Sequence, residues 1–200
     1  AETYAGIEPV SLLLGEESPL RALPRRSRST HKGANGHVLV IGGGPGMPGA
    51  VRLAGEAALR AGAGLVIVAV HPQNTGIVAA RPELMCIAAG SATDLRAVLG
   101  RATVVAVGPG LGQDQWARQL FDAARSSGLP MVVDADALNL LAAAPATRDS
   151  WILAPHPGEA ARLLGSTSAA VQSDRLRAAR GLQSRFGGHV VLKGAGSVVQ

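Results

Sequence analysis

Lysine is scarce in this chain, and one of its two lysines, Lys193, stands in VLKGAGSVV between two apolar runs. An ammonium beside Gly194, Ala195, Gly196 and Ser197 suits a phosphate: a point charge, a hydroxyl, and backbone N–H groups left open by small residues. Upstream, APHPGEAARLL (154–164) sets His156 and Glu159 around a Pro-Gly break at the start of a helical pattern. His156 then lies on the turn after an apolar run, where it can meet a ligand or serve the fold. Glu159 falls in the first turn of the helix, where it suits the macrodipole or supports a metal from outside its ligand sphere. DADALN (134–139) places Asp134, Asp136 and Asn139 at another such turn. Asp136 reads as a helix cap. Asp134 reads as a group that orients a ligand hydroxyl or helps hold Mg2+ through water. Two glycine clusters complete the set, GGGPGMPG (42–49) and GPGLGQD (108–114). Each reads as a tight turn whose backbone donors could face a polar ligand.

The first cluster contains Gly44-x-Gly46-x-x-Gly49, the dinucleotide fingerprint. A redox NAD site needs a carboxylate at the end of the second strand for the ribose hydroxyls. Here that strand ends Val70-His71-Pro72, and Pro48 interrupts the loop. The fingerprint alone therefore does not make this a Rossmann dehydrogenase.

The elements that must position these residues alternate regularly from Gly36 onward. Apolar, β-rich runs occupy 37–42, 64–71, 84–89, 103–108, 129–135, 151–156 and 189–194. Helical patterns occupy 50–62, 113–127, 136–143, 158–164 and 170–186. In the first of these, Ala50, Leu53, Ala54, Ala57, Ala58 and Ala61 predict one apolar face. Continuous apolar strands alternating with helices predict a parallel sheet covered on both sides. Ligands of such sheets bind beyond the carboxyl ends of the strands, where all five motifs fall.

Taken in order, HKGANGHVLVIGG, MPGA, GPGLG, DADALN, HPGE and KGAGS resemble the ADP- or ATP-dependent NAD(P)H-hydrate dehydratases of the ribokinase-like superfamily, over roughly residues 30–200. The resemblance implies a three-layer α/β/α sandwich with a central, mostly parallel sheet. It implies repair of the S-epimer of NAD(P)H hydrate by phosphorylation of the ring hydroxyl and loss of phosphate. Mg2+ and ADP or ATP would take part. On the matching motifs, Ala50, Gly110 and His156 would contact the hydrate. Lys193, Gly194, Ala195, Gly196 and Ser197 would line the nucleotide phosphates, with Ser197 where the family usually has Thr. Asp134, Asn139 and Glu159 would support them, and no metal ligand is assigned. The family's presumed base is the aspartate of a GMGD-type stretch downstream of KGAGT, beyond Gln200, so no catalytic base is assigned here. The expectation is a domain over 33–200 that lacks its C-terminal part, exposes apolar sheet surface and turns over weakly by itself. Residues 1–32, with Pro9, Pro19, Pro24 and the cluster RALPRRSRSTHK, read as a linker or N-terminal extension, of the kind that follows a fused epimerase domain in many bacterial members.

Composition narrows the alternatives. The chain has 47% hydrophobic residues, 16% charged residues and a net charge of +5, values of a globular protein with a substantial core. The arginine cluster lacks interleaved aromatics, which argues against nucleic acid as a partner. Cys86 is the single cysteine, and no apolar run is long enough to span a membrane. The expected setting is the cytoplasm, with a homo-oligomer compatible with the resemblance. Two other readings share the motifs: a ribokinase-like kinase of a small alcohol or vitamin precursor, and a non-enzymatic nucleotide-binding module.

Overall fold

The computed structural model describes residues 9–15, 23, 25–78 and 81–200. Part of the N-terminal stretch, including Pro19, Arg21 and Pro24, lies outside the described residues. Contacts divide the chain into residues 1–30 and 31–200. In the first unit, Ser27–Thr30 form a turn closed by the Thr30 N–H on the Ser27 carbonyl at 3.1 Å.

The second unit is built on eight strands: β1 His37–Ile41, β2 Leu65–Val70, β3 Met85–Ala88, β4 Val104–Val107, β5 Met131–Val133, β6 Trp151–Leu153, β7 His189–Leu192 and β8 Val198–Val199. They form one sheet in the order β3-β2-β1-β4-β5-β6-β7-β8. All neighbours are parallel except β7 and β8. Seven helices connect them: α1 Pro48–Arg60, α2 Ala92–Leu99, α3 Gln115–Ser126, α4 Asp136–Ala143, α5 Pro157–Leu164, α6 Ser168–Ser173 and α7 Arg175–Phe186. Among the described residues, no helix is long and apolar enough to cross a membrane.

The seven apolar runs all become strands, because parallel strands are buried by their crossover helices. The expected helix over 170–186 is two helices, divided at Asp174, whose side chain caps α7 through the Arg177 N–H. Helix α2 gave no strong apolar period. It starts at a capping box in which Ser91 and Asp94 satisfy each other's N–H groups. The apolar face of α1 is also shifted from expectation. Leu53 and Ala57 are exposed, and the helix keeps Ala54 and Ala58 but adds Val51, Gly55 and Leu59 to its packed face. Alanine-rich helices give weak contrast between faces, so the one stripe with Val and Leu decides. A Cβ at Gly55 would stand 3.0 Å from Val68 Cγ1, so glycine there sets how closely α1 lies on β2.

The two faces of the sheet differ. One row of aligned residues, Ile41, Val107, Val133, Leu153 and Val190, is wholly buried beneath the helices. The adjacent row on the other face runs Val40, Ala106, Val132, Ile152 and His189. Val40 is covered by α1, Ala106 and Val132 are half-buried, and Ile152 is 39% exposed. Three layers are therefore complete over β1 and β2. Over β5 to β7, no described residues cover the second face.

Candidate active site

Parallel strands end on a common edge, and β1, β4, β5, β6 and β7 are neighbours. The five motifs thus become one row: Gly42–Gly44, Gly108–Gly112, Asp134–Asp136, Pro155–Glu159 and Lys193–Ser197. The chain moves outward from β1 to β3 and returns beside β1 as β4, which makes the β1/β4 gap the switch point of the sheet.

At that gap the two glycine turns are stitched to each other. Gly43 donates its N–H to the Pro109 carbonyl at 3.1 Å, and Gly44 donates to the Gly110 carbonyl at 2.7 Å. Asn74 Nδ2 bonds the Gly43 and Gly44 carbonyls at 3.0 and 2.9 Å. A Cβ on Gly42 would overlap the Pro109 carbonyl oxygen, and one on Gly108 would overlap that of Asp134. These glycines therefore permit close backbone packing. The donors of Gly43 and Gly44 are spent within the protein, so for these two residues the packing reading of the turn holds. What remains at this point is the start of α1. Its N-cap, Met47, offers no side-chain cap, and Pro48 follows it. Gly110 lies on this start: a Cβ there would stand 2.7 Å from the Met47 carbonyl oxygen and 3.2 Å from Ala50 Cβ. The fold thus brings Ala50 and Gly110 together.

The next turn joins the row. Asp136 Oδ2 accepts the Gly112 N–H at 2.8 Å, tying the β4 turn to α4. Asp136 is therefore not the expected cap; the N-cap position belongs to Ala135, which has a positive φ of 48°. Such a backbone costs on the order of 1 kcal/mol in a residue with a Cβ. It is held by Asp134 Oδ1, which accepts the Ala135 N–H at 2.8 Å.

The same oxygen of Asp134 receives Lys193 Nζ at 2.5 Å, and Glu159 Oε2 lies 3.9 Å from that ammonium. Glu159 is buried, with 7% of its side chain exposed. Its carboxylate accepts the His156 backbone N–H at 2.8 Å and faces His156 Nε2 at 3.3 Å. His156 Nδ1 accepts the Gly158 and Glu159 N–H groups at 2.9 and 3.4 Å, so its proton sits on Nε2. His156 and Glu159 thus form a capping box for α5, with the imidazole still half-exposed at the sheet edge. Asn139 stands apart from this cluster, its Oδ1 bonded to Arg162 Nη1 at 2.8 Å.

The last turn is the β7–β8 hairpin. Lys193 N–H anchors it to the Pro155 carbonyl at 2.8 Å. Arg175 Nη2 donates to the carbonyls of Leu192, Lys193 and Gly196 at 3.0, 3.3 and 3.2 Å. The N–H groups of Gly194, Ala195, Gly196 and Ser197 have no hydrogen-bond partner among the described residues. Here the open donors expected of a phosphate turn are present.

Neither Arg175 nor Asn74 was identifiable in the sequence. With 19 basic residues of which two are lysine, one arginine in RLRAARGLQSR carries no distinguishing signal. Among the described residues, no group of three His, Cys, Asp or Glu side chains could hold a metal ion. A cleft of about 720 Å³ lies between α2 and α3 and holds none of the motif residues.

The chain is similar to known proteins over most of its length. A family model described as NAD(P)H-hydrate dehydratase matches residues 38–200. The bifunctional NAD(P)H-hydrate repair enzyme Nnr of Coxiella burnetii is 54% identical over 179 residues, 89% of this chain and 37% of that protein. This chain therefore spans little more than a third of that relative. The structure of the ADP/ATP-dependent NAD(P)H-hydrate dehydratase from Bacillus subtilis, co-crystallised with ATP/Mg2+, superposes with a TM-score of 0.76 at 30% identity, covering 92% of this chain and 67% of that one. A ribokinase-like superfamily protein from Enterococcus faecalis superposes with a TM-score of 0.79 at 27% identity, covering 88% and 63%. The fold is the expected ribokinase-like α/β arrangement, and the chain belongs to the NAD(P)H-hydrate dehydratase family.

Proposed function

We propose that the protein containing this chain restores NAD(P)H from the S-epimer of its hydrate, at the expense of ADP or ATP. The observation that carries this reading is the pairing of Lys193, set between Asp134 and Glu159, with a hairpin of unpartnered amides. That is an anion site with a cation beside it, at the edge where ribokinase-like sheets bind ligands.

The chemistry balances without a redox step. The ring hydroxyl oxygen of the hydrate attacks the terminal phosphorus of the nucleotide, releasing AMP from ADP or ADP from ATP. The ring nitrogen lone pair then expels phosphate, a far better leaving group than hydroxide. Loss of a proton from the neighbouring ring carbon restores the double bond. The protein's task is positioning and charge stabilisation. Lys193 meets the charge of the transferred group. The amides of Gly194 to Ser197 and the Ser197 hydroxyl hold phosphate oxygens. Ala50 and Gly110, at the open start of α1, and the half-exposed imidazole of His156 would contact the hydrate. Asp134 and Glu159, which flank Lys193, would hold Mg2+ through water and phosphate oxygens rather than in a protein cage. When bound, that ion would neutralise charge on the phosphates. On the family resemblance, the proton of the ring hydroxyl would go to the aspartate of a GMGD-type stretch, which lies outside residues 1–200. A fused epimerase domain would supply the S-epimer from the R-epimer.

The test is direct. Full-length protein receives S-NADH hydrate, Mg2+ and either ADP or ATP, and reduced nicotinamide absorbance is followed. A nucleotide-dependent rise supports the proposal and names the donor. A stable phosphorylated product would point instead to a kinase. Nucleotide binding with no turnover would point to a binding module.

A further inference from the structure

Arg175 is half-buried near the start of α7, 18 residues before the lysine it underlies. Its Nη2 bonds three carbonyls of one turn, those of Leu192, Lys193 and Gly196. Its Nη1 is fixed from the other side by Gln172 Oε1 at 2.7 Å. Gly194 lets the guanidinium pass beneath the turn: a Cβ there would stand 2.8 Å from Nη1.

Peptide geometry gives this arrangement a consequence. In a trans peptide the C=O and the following N–H point in opposite directions, and none of the described peptide bonds is cis. The Leu192 carbonyl turned to Arg175 sends the Lys193 N–H the other way, where it finds the Pro155 carbonyl. By the same rule, the Lys193 carbonyl turned to Arg175 sends the Gly194 N–H outward. The Gly196 carbonyl does this for the Ser197 N–H. Those two amides have no protein partner among the described residues.

We infer that Arg175 is a positioning residue for the nucleotide site: it pins the carbonyls of the Lys193–Ser197 turn inward, so that the Gly194 and Ser197 amides are presented to the phosphates before any ligand arrives. A glycine-rich turn is otherwise free to flip its peptides, and ordering them on binding would cost affinity. Arg175 itself need not touch the nucleotide. The inference rests on the reading of this hairpin as the phosphate site.

The experiment compares Arg175→Gln and Arg175→Lys with the parent full-length protein. Binding of ADP and ATP with Mg2+ is measured by calorimetry, KM for the hydrate by steady-state kinetics, and the thermal midpoint without nucleotide by calorimetry. Loss of three charge-assisted bonds should weaken nucleotide binding roughly 10- to 100-fold in Arg175→Gln. Arg175→Lys, which keeps the charge and part of the donor set, should fall between. The KM for hydrate should hardly move and the ligand-free thermal midpoint should fall by no more than a few degrees, which separates preorganisation from general damage. Unchanged nucleotide affinity in Arg175→Gln, beside a parent that binds, overturns the role of Arg175. So does an equal loss in hydrate KM and thermal midpoint. A parent that binds neither nucleotide overturns the phosphate reading itself, and the inference with it.

Discussion

Two glycine-rich turns on the same edge of the sheet use glycine for opposite purposes. At the β1/β4 gap, glycine lets backbones touch, and the Gly43 and Gly44 donors bond to the facing turn. At the β7–β8 hairpin, the carbonyls are drawn inward by Arg175 and the donors remain open. The difference lies in where the partner groups go. Sequence composition marks a turn as glycine-rich, but accounting for each N–H and C=O decides whether it can bind an anion.

The largest effect that tests this contrast is at the packed gap. Gly42→Ala or Gly108→Ala would drive a Cβ into a neighbouring carbonyl. Each should lower stability by about 3 kcal/mol or more in chemical denaturation. Gly196→Ala, with no atom within 4 Å of its added Cβ but a φ of 74°, should cost about 1 kcal/mol. Its larger effect should be on nucleotide affinity. Equal destabilisation at the two turns would break the comparison.

Next comes Lys193→Met. Nucleotide kcat/KM should fall roughly 100-fold, because a charge-assisted phosphate contact is removed. Stability should change by less than about 1 kcal/mol, since the Lys193–Asp134 pair is partly exposed. His156→Ala removes the acceptor that caps α5 and should cost about 1 kcal/mol, with Asn restoring most of it. Activity that stays low in His156→Asn would separate its ligand role from its capping role.

The smallest effects lie away from both turns. The Arg52 hydrogen bond, joined by Arg81, holds the Glu56 carboxyl below its ordinary value near 4.5 against a smaller opposing effect of burial. Folding therefore gains from the charged form above the unfolded value. That gain disappears as pH falls through the lower folded value. An acid titration of Arg81→Met should show a weaker dependence in that window than the parent. Burial raises the Cys86 thiol above its ordinary 9.0. Its alkylation at pH 8 should be slower than that of a free thiol and should recover on unfolding.

Much of the architecture was legible in the sequence for a physical reason. Strands of a parallel sheet read as unbroken apolar runs, even where β5 to β7 leave one face partly open, so β1 to β7 and the edge that gathers the motifs followed directly. The break at Asp174 was not legible, because a single cap residue within a continuous helical pattern gives little contrast. The face of α1 was misplaced because alanine marks both sides of a helix equally, and Val51 and Leu59 settle it only through packing. At the site, the residue types at each strand end were visible. Their interactions were not: the Asp136 bond to Gly112 spans 24 residues and the Lys193 bond to Asp134 spans 59. Arg175 was hidden among many arginines, and topology alone brings it under the hairpin.

Hydrogen exchange of the full-length protein, with and without nucleotide and Mg2+, tests the central contrast most directly. The account predicts that the Gly43 and Gly44 amides exchange slowly in both states. The Gly194–Ser197 amides should exchange fast without nucleotide and slowly with it. Protection that instead appears at residues 42–49 on adding nucleotide, with 193–197 unchanged, would contradict it.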